Sequence, residues 1–211
     1  MNLLPCPLCQ GNTQPFYKHV ERIFMRCGNC LSVFLHPDFY LTEQQETAHY
    51  ACHNNKPDDI GYQNFVRPIV NSIFADFTKL DSGLDFGSGT GSPIVKLLQD
   101  EQYNIQQFDL YFYNEKQRLK QQYNYIACCE TAEHFKNPAQ EFTMLRQMLL
   151  PKGKLYIMTE RYNDDINFAD WYYKNDPTHI FLYHKKAFEW IKDTFGFSKV
   201  EFKNRLTILS V

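Results

Sequence analysis

The sequence predicts an α/β protein built on a doubly wound sheet, with a small cysteine-bearing module in front. Three observations carry that reading. A short apolar strand runs into a glycine-rich turn and a helix start at Gly83-Leu84-Asp85-Phe86-Gly87-Ser88-Gly89-Thr90-Gly91. From Asp81 to the C-terminus, strand-length apolar runs alternate with segments of helical period, the pattern of a parallel sheet with crossover helices. Ahead of both stand two C-x2-C pairs, Cys6/Cys9 and Cys27/Cys30, separated by seventeen residues.

The cysteine pairs come first in the chain. Two such knuckles place four thiolates around one tetrahedral ion, and zinc is the usual occupant. Four cysteines close the coordination shell, so Cys6, Cys9, Cys27 and Cys30 are expected to hold a structural rather than a catalytic zinc. About 30 residues cannot bury enough core unaided, and the metal supplies the missing folding energy. Segments around Phe16–Val20 and Arg22–Arg26 have the look of ribbon strands; His19 and His36 are expected at the surface. The expected divisions are a ribbon over 1–36, a helical linker or cap over 37–80, and the α/β domain over 81–211.

In the linker, Thr42 is placed to cap a helix. The stretch from His49 through His53, Asn54 and Gly61 to Tyr62 is dense in polar and aromatic groups, which often border sites. An amphipathic helix follows from about Gln63 to Phe77. In the glycine turn, glycines allow positive φ and a close approach to a ligand. Ser88, Thr90 and Ser92 can cap the next helix, and Pro93 suits its first turn. A helix start at the end of a buried strand binds nucleotide-like or carboxylate-bearing ligands. The second strand, Tyr103–Asp109, ends in an acid 18 residues after Gly91, where it can accept hydrogen bonds from both ribose hydroxyls. Tyr125–Cys129 and Lys154–Thr159 are further strands, with a helix over Pro138–Leu150 between them. Phe168–Tyr183 reads as loop, Lys185–Phe195 as a helix ended by Gly196, and the remainder as an antiparallel pair.

This order of motifs resembles the class I S-adenosylmethionine-dependent methyltransferases. Asp85-Phe86-Gly87-Ser88-Gly89-Thr90-Gly91 matches their E/D-x-G-x-G-x-G motif, Asp109 their ribose-binding acid, and Leu149-Leu150-Pro151-Lys152-Gly153-Lys154-Leu155 the turn before their fifth strand. With the knuckles in front, the chain is similar to a zinc-ribbon subgroup of undefined substrate. The resemblance implies a Rossmann-like domain. Gly87, Ser88, Gly89 and Gly91 would cradle the methionine end of the cofactor, Asp85 would act near its amino group, and Asp109 would hold the ribose. One departure stands out: only fifteen residues separate Asp109 from Tyr125. The third strand and its adenine-contacting acid are expected to be missing, leaving Leu110, Tyr111 and Phe112 to meet the adenine.

Glu130, Glu133 and His134 follow a strand at the ligand edge, and on a helical turn they would share one face. The E-x-x-E-H pattern resembles that of small-RNA 2′-O-methyltransferases and ubiquinone-pathway O-methyltransferases, where it can bind a divalent ion. His179, in Asp176-Pro177-Thr178-His179, stands where the small-RNA enzymes have a further histidine. The resemblance thus implies a catalytic set of Glu130, Glu133, His134 and His179 with a second divalent metal, Glu130 also touching the cofactor. Without metal, His134 could act as general base. Trp171-Tyr172-Tyr173, with Phe168 and Tyr183, reads equally as acceptor wall or as core anchor.

Composition narrows the function further. The 211 residues are 44% hydrophobic and 16% aromatic, with a net charge of −2. That lacks the basic footprint of a general nucleic-acid binder, which favours a small, metabolite-like acceptor. No leader-like or membrane-spanning stretch is visible, so a cytoplasmic protein is expected, its thiols reduced. The expected reaction is O- or N-methylation. The alternatives are a non-catalytic binder of S-adenosylmethionine or S-adenosylhomocysteine that uses the ribbon for docking, and an RNA methyltransferase. The sequence leaves the oligomeric state open.

Overall fold

Residues 4–51 and 56–211 are described by the structure, a computed structural model. His53 and Asn54, singled out above, lie outside the described residues. The chain begins with a hairpin, β1 (Thr13–His19) and β2 (Arg22–Cys27), followed by β3 (Val33–Leu35). The four thiols meet at the base of this ribbon. Cys6 and Cys30 Sγ lie 3.7 Å apart, Cys9 and Cys27 Sγ 3.4 Å, and all four lie within 4.8 Å of one another. Zn–S bonds of about 2.3 Å set tetrahedral sulfurs about 3.8 Å apart, so the cluster has the right dimensions for zinc. The Asn29 N–H donates to Cys27 Sγ at 3.3 Å, the knuckle contact that favours a thiolate. His36 is not a surface residue: it is buried, and its Nδ1 accepts from the Asp38 N–H.

Helix α1 (Glu43–Ala51) starts at Thr42, whose hydroxyl accepts from Gln45 N while Gln45 Oε1 accepts from Thr42 N, a reciprocal cap. Helix α2 (Ile60–Asp76) is capped by the Asp59 carboxylate. The α/β part then runs β4 (Ser82–Phe86), α3 (Pro93–Asp100), β5 (Asn104–Phe108), β6 (Tyr123–Cys129), α4 (Pro138–Gln147), β7 (Leu149–Met158), β8 (Phe181–Leu182), α5 (Lys185–Phe195), β9 (Lys199–Lys203) and β10 (Leu206–Ser210). The main sheet has the order β5-β4-β6-β7-β10-β9, parallel from β5 to β7 and antiparallel beyond. Among the described residues no strand pairs outside β5, and the chain between β5 and β6 makes an isolated Asp109–Tyr113 bridge and a 3-10 turn at Lys116–Lys120.

Strand pleating splits the core into two layers. Tyr125 and Ala127 of β6 face Val66, Ile69, Ile73 and Ile94 from α2 and α3. Ile126 and Cys128 face the opposite layer with Phe142, Leu145, Phe188 and Ile191 from α4 and α5. That second layer also takes in Leu8, Met25, Phe34 and the cysteines, so the ribbon and the sheet share one core. The stretch from Phe168 to Tyr183, read as loop, contains a 3-10 turn at Tyr172–Asn175 and the short β8. Strand β8 pairs with β3, giving a second sheet of order β1-β2-β3-β8. Two residues are too short to show a period, which is why the strand was illegible.

Candidate active site

The turn after β4 is shaped by two left-handed glycines, Gly87 (φ 80°) and Gly89 (φ 62°). Gly87 is required twice over, since a Cβ there would sit 2.2 Å from Thr131 Cγ2. The Gly87 and Ser88 N–H groups donate to Phe108 O at 2.8 and 3.1 Å, fixing the turn to the end of β5. Asp109 completes the tie. Its Oδ2 accepts from Gly89 N (2.9 Å), and its Oδ1 from Tyr111 N (2.9 Å) and Phe112 N (3.1 Å). Three of a carboxylate's roughly four lone-pair sites are thereby used, so Asp109 has room for one further donor rather than two. Ser88 Oγ is buried without a partner.

Asp85 lies beneath the turn, 2% exposed, and accepts from the Ser92 hydroxyl that caps α3. Burial pushes its pKa up to about 7, against the Ser92 hydrogen bond and with help from the Asp109 charge. The turn opens on a cavity of about 500 Å³, lined by residues 87–90 and 108–112, by Cys129–Thr131 and by His134 and His179. Pockets for small molecules span roughly 300–1,000 Å³. Asp85 and Gly91 are not among the lining residues.

Two of the lining residues, His134 and His179, form a cluster with Glu133 in which the ligand atoms lie within 4.8 Å of one another. Glu133 is fully buried. Its Oε1 accepts from the Tyr173 hydroxyl, and its Oε2 has no partner. His134 Nδ1 is 2.8 Å from Thr178 O, and His179 Nδ1 is 2.7 Å from Tyr173 O. A carbonyl only accepts, so each Nδ1 carries a proton, which leaves Nε2 as the ring position with a lone pair in the neutral tautomer. His179 Nε2 is 3.9 Å from Glu133 Oε1. Burial lowers the His179 pKa, against the raising pull of Glu133.

Glu130 does not join this cluster, contrary to expectation. The chain leaves β6 with Glu130 in the left-handed region (φ 46°) and then forms a 3-10 turn at Ala132–His134. The shared helical face therefore never forms. Glu130 instead takes Arg205 Nη2 on both oxygens, at 2.9 and 2.8 Å. Burial and the Glu133 charge push its pKa up to about 8 despite that pair. Glu130 and His179 also line a second, more open cavity of about 360 Å³, with Phe65, Tyr172, Tyr173 and Arg205. Glu130 thus stands between the two hollows.

A family profile described as a methyltransferase domain matches residues 60–201. The chain belongs to this methyltransferase family. Solved structures with the same fold agree. An O-methyltransferase family protein from Burkholderia thailandensis is 15% identical with a TM-score of 0.55, covering 81% of this chain and 63% of its own length. A SAM-dependent methyltransferase from Archaeoglobus fulgidus is 18% identical (TM-score 0.53; 66% of this chain, 71% of its own). The Burkholderia thailandensis 1,6-didemethyltoxoflavin-N1-methyltransferase, solved with its substrate and S-adenosylhomocysteine, is 11% identical (TM-score 0.54; 93% and 98%). No curated protein matches the sequence.

In this methyltransferase the linker covers the site. From α1, Glu46 accepts from Lys136 Nζ and the Tyr111 hydroxyl, both at 2.9 Å, while Tyr50 packs its ring edge-on to His134 at 5.5 Å. Tyr50 and Tyr62, from the segment singled out for polar and aromatic density, both line the first cavity. Phe168, Trp171, Tyr173 and Tyr183 are buried anchors, and only Tyr172 is exposed at a cavity wall. Sequence reasoning missed Glu46, Lys136 and Arg205. No local spacing marks their pairings, Glu46 with Lys136 and Tyr111 and Arg205 with Glu130, which form only on folding. Among the described residues no helix is long and apolar enough to cross a membrane.

Proposed function

We propose that this methyltransferase moves the methyl group of S-adenosylmethionine to an oxygen or nitrogen of a small, metabolite-like acceptor, which Glu133, His134 and His179 prepare. The observation that carries this reading is the pair of fixed imidazoles, both presenting Nε2 lone pairs beside a buried carboxylate. On the donor side, Gly87, Ser88, Gly89 and Gly91 cradle the methionine end, with Asp85 acting on it from behind the turn. The free site on Asp109 Oδ2 takes one ribose hydroxyl, and the orphaned Ser88 hydroxyl supports the fit of a polar ligand here. Leu110, exposed at 58%, forms the adenine wall with Tyr111 and Phe112 where the missing strand would have supplied an acid. S-adenosylmethionine contributes an activated methyl on sulfonium; the chain contributes alignment of donor and acceptor and removal of the acceptor proton. Residues 1–36, 37–80 and 81–211 then divide into ribbon, cap and donor domain, with a structural zinc in the first.

The partnerless Glu133 Oε2 favours a divalent ion over a bare imidazole base, because a cation would satisfy it. Two histidines and one carboxylate leave open positions on such an ion, which would supply Lewis acidity toward an acceptor hydroxyl. Glu130, held by Arg205, then faces donor and acceptor from the junction of the two cavities. Calorimetry tests both halves. S-adenosylhomocysteine should bind, and Asp109→Ala should weaken it at least about tenfold, one lost charge-assisted hydrogen bond. No binding at high micromolar concentration would sink the proposal. Mn²⁺ should bind the zinc-loaded protein, but neither Glu133→Ala nor His179→Ala; equal binding by all three proteins would leave His134 as the base.

A further inference from the structure

The segment that carries His179 is held from outside the α/β domain. Its two ends are fixed by the cysteine ribbon. At the start, the Arg22 guanidinium of β2 reaches three successive carbonyl oxygens where the 3-10 turn ends. Nη2 donates to Lys174 O (3.2 Å) and Asn175 O (3.3 Å), and Nη1 reaches Asp176 O at 3.4 Å. Carbonyls at the end of a helical turn attract a cation, and Asp176 O, just past the turn, also accepts from the His179 N–H at 3.3 Å. At the other end, β3 pairs with β8, and Leu35 N donates to Ile180 O at 2.8 Å. Ile180 N in turn donates to Glu133 O at 2.9 Å. Beside and between the two ties, the same segment supplies the Tyr173 hydroxyl to Glu133, Tyr173 O to His179 and Thr178 O to His134.

A shared core fills the space behind it. Phe24, Val33 and Leu35 of the ribbon pack with Phe168, Trp171, Tyr173 and Ile180. Phe16 and Tyr17 add ring contacts to Phe168 at 5.2 and 5.3 Å. The hydrogen bonds of the glycine turn come from within the α/β domain: its N–H groups donate to Phe108 O and Asp109, and Gly87 O and Thr90 O accept from the Thr131 and Tyr113 hydroxyls.

We infer that the ribbon is a positioning element for the acceptor half of the site. Arg22 is its positioning residue, and the four thiols, when they hold a metal, fix the ribbon against which the Tyr172–Leu182 segment is set. The inference rests on the proposed role of His179 only for its catalytic consequence; the coupling itself is a property of the chain.

Hydrogen exchange followed by mass spectrometry on the full-length, zinc-loaded protein tests it. Arg22→Met should raise deuterium uptake rates in peptides spanning 172–182 by tenfold or more. Peptides spanning 83–109 should be unchanged, and S-adenosylhomocysteine affinity should stay within twofold. Arg22→Lys, which keeps the cation, should recover part of the protection. Lys18→Met, which removes a cation from the neighbouring strand, should change nothing. Cobalt placed in the ribbon gives a thiolate absorption band, and Arg22→Met should leave it unaltered, separating loss of positioning from loss of the ribbon. Unchanged exchange in 172–182 for Arg22→Met overturns the inference. So does loosening spread equally over residues 13–35 with an altered cobalt band. Should the segment loosen while methyl transfer persists at full rate, the coupling stands and the catalytic role of His179 falls.

Discussion

Asp85 offers the sharpest quantitative test, because a buried carboxylate makes stability depend on pH with a definite sign. Its pKa rises from an ordinary value near 3.8 to about 7 through burial. At low pH the side chain is neutral in both states and its burial carries no charge penalty. As pH rises above about 4, the unfolded chain ionises while the folded one resists. Stability present below the unfolded pKa is therefore lost progressively until the folded pKa is passed. The interval from 3.8 to about 7, at about 1.36 kcal/mol per unit, amounts to about 4 kcal/mol. Asp85→Asn keeps an oxygen to accept from the Ser92 hydroxyl and removes the titration. Urea unfolding of both proteins at pH 4 and pH 8 should give similar stabilities at the lower pH. At pH 8 the asparagine variant should gain, by up to about 4 kcal/mol. A variant equally or more destabilised at pH 8 than at pH 4 would refute the reasoning, and would mean that a compensating cation reaches Asp85 from the turn.

Metal analysis should return about one zinc per chain, and Cys9→Ser should lose it together with cooperative unfolding of the ribbon, since the ion supplies folding energy there. Tyr173→Phe removes the hydroxyl that donates to Glu133 Oε1, which should cost about 1–3 kcal/mol in denaturant unfolding. Added Mn²⁺ should return much of that loss; no recovery would argue against a cation at Glu133.

The parts legible in the sequence share a property: their signal is local. The cysteine knuckles, the glycine turn, Asp109 at a strand end and the Thr42 cap are each spelled out within a few residues. His179 was legible only through likeness to a pattern, and the structure brings it beside Glu133 and His134. What could not be read depends on contacts distant along the chain. Arg205 sits in the β9–β10 hairpin, 75 residues from Glu130, and nothing near either residue announces the pair. Glu46 looks like a solvated helix residue, yet folding buries it between Lys136 and Tyr111. The absence of a shared helical face at Glu130 has a definite cause. Helical spacing does not hold in a stretch that leaves its strand through a left-handed residue, and Glu130 there lines both cavities and pairs with Arg205 instead of sharing a face with Glu133 and His134.

The missing third strand leaves β5 as a sheet edge, and an open edge invites pairing with other chains. Two features of the short connection answer that problem while building the donor site. Arg118 donates a guanidinium N–H to Gln107 O on the edge, and Gln121 accepts from Gln106 Nε2 at 3.3 Å. One backbone carbonyl on the edge, Gln107 O, is met by a side chain instead of a strand, and the glutamine pair covers the edge beside it. Just before them, Asp109 and Tyr113 form an isolated antiparallel bridge that folds residues 110–112 back toward the cavity. The same fifteen residues thus close the edge and turn Leu110, Tyr111 and Phe112 into a wall. Tyr111 carries the arrangement further: its N–H fixes Asp109 and its hydroxyl fixes Glu46 of α1. The connection that lost a strand is therefore the one that ties the cap to the donor side. The ribbon, through Arg22 and β3, performs the corresponding task on the acceptor side.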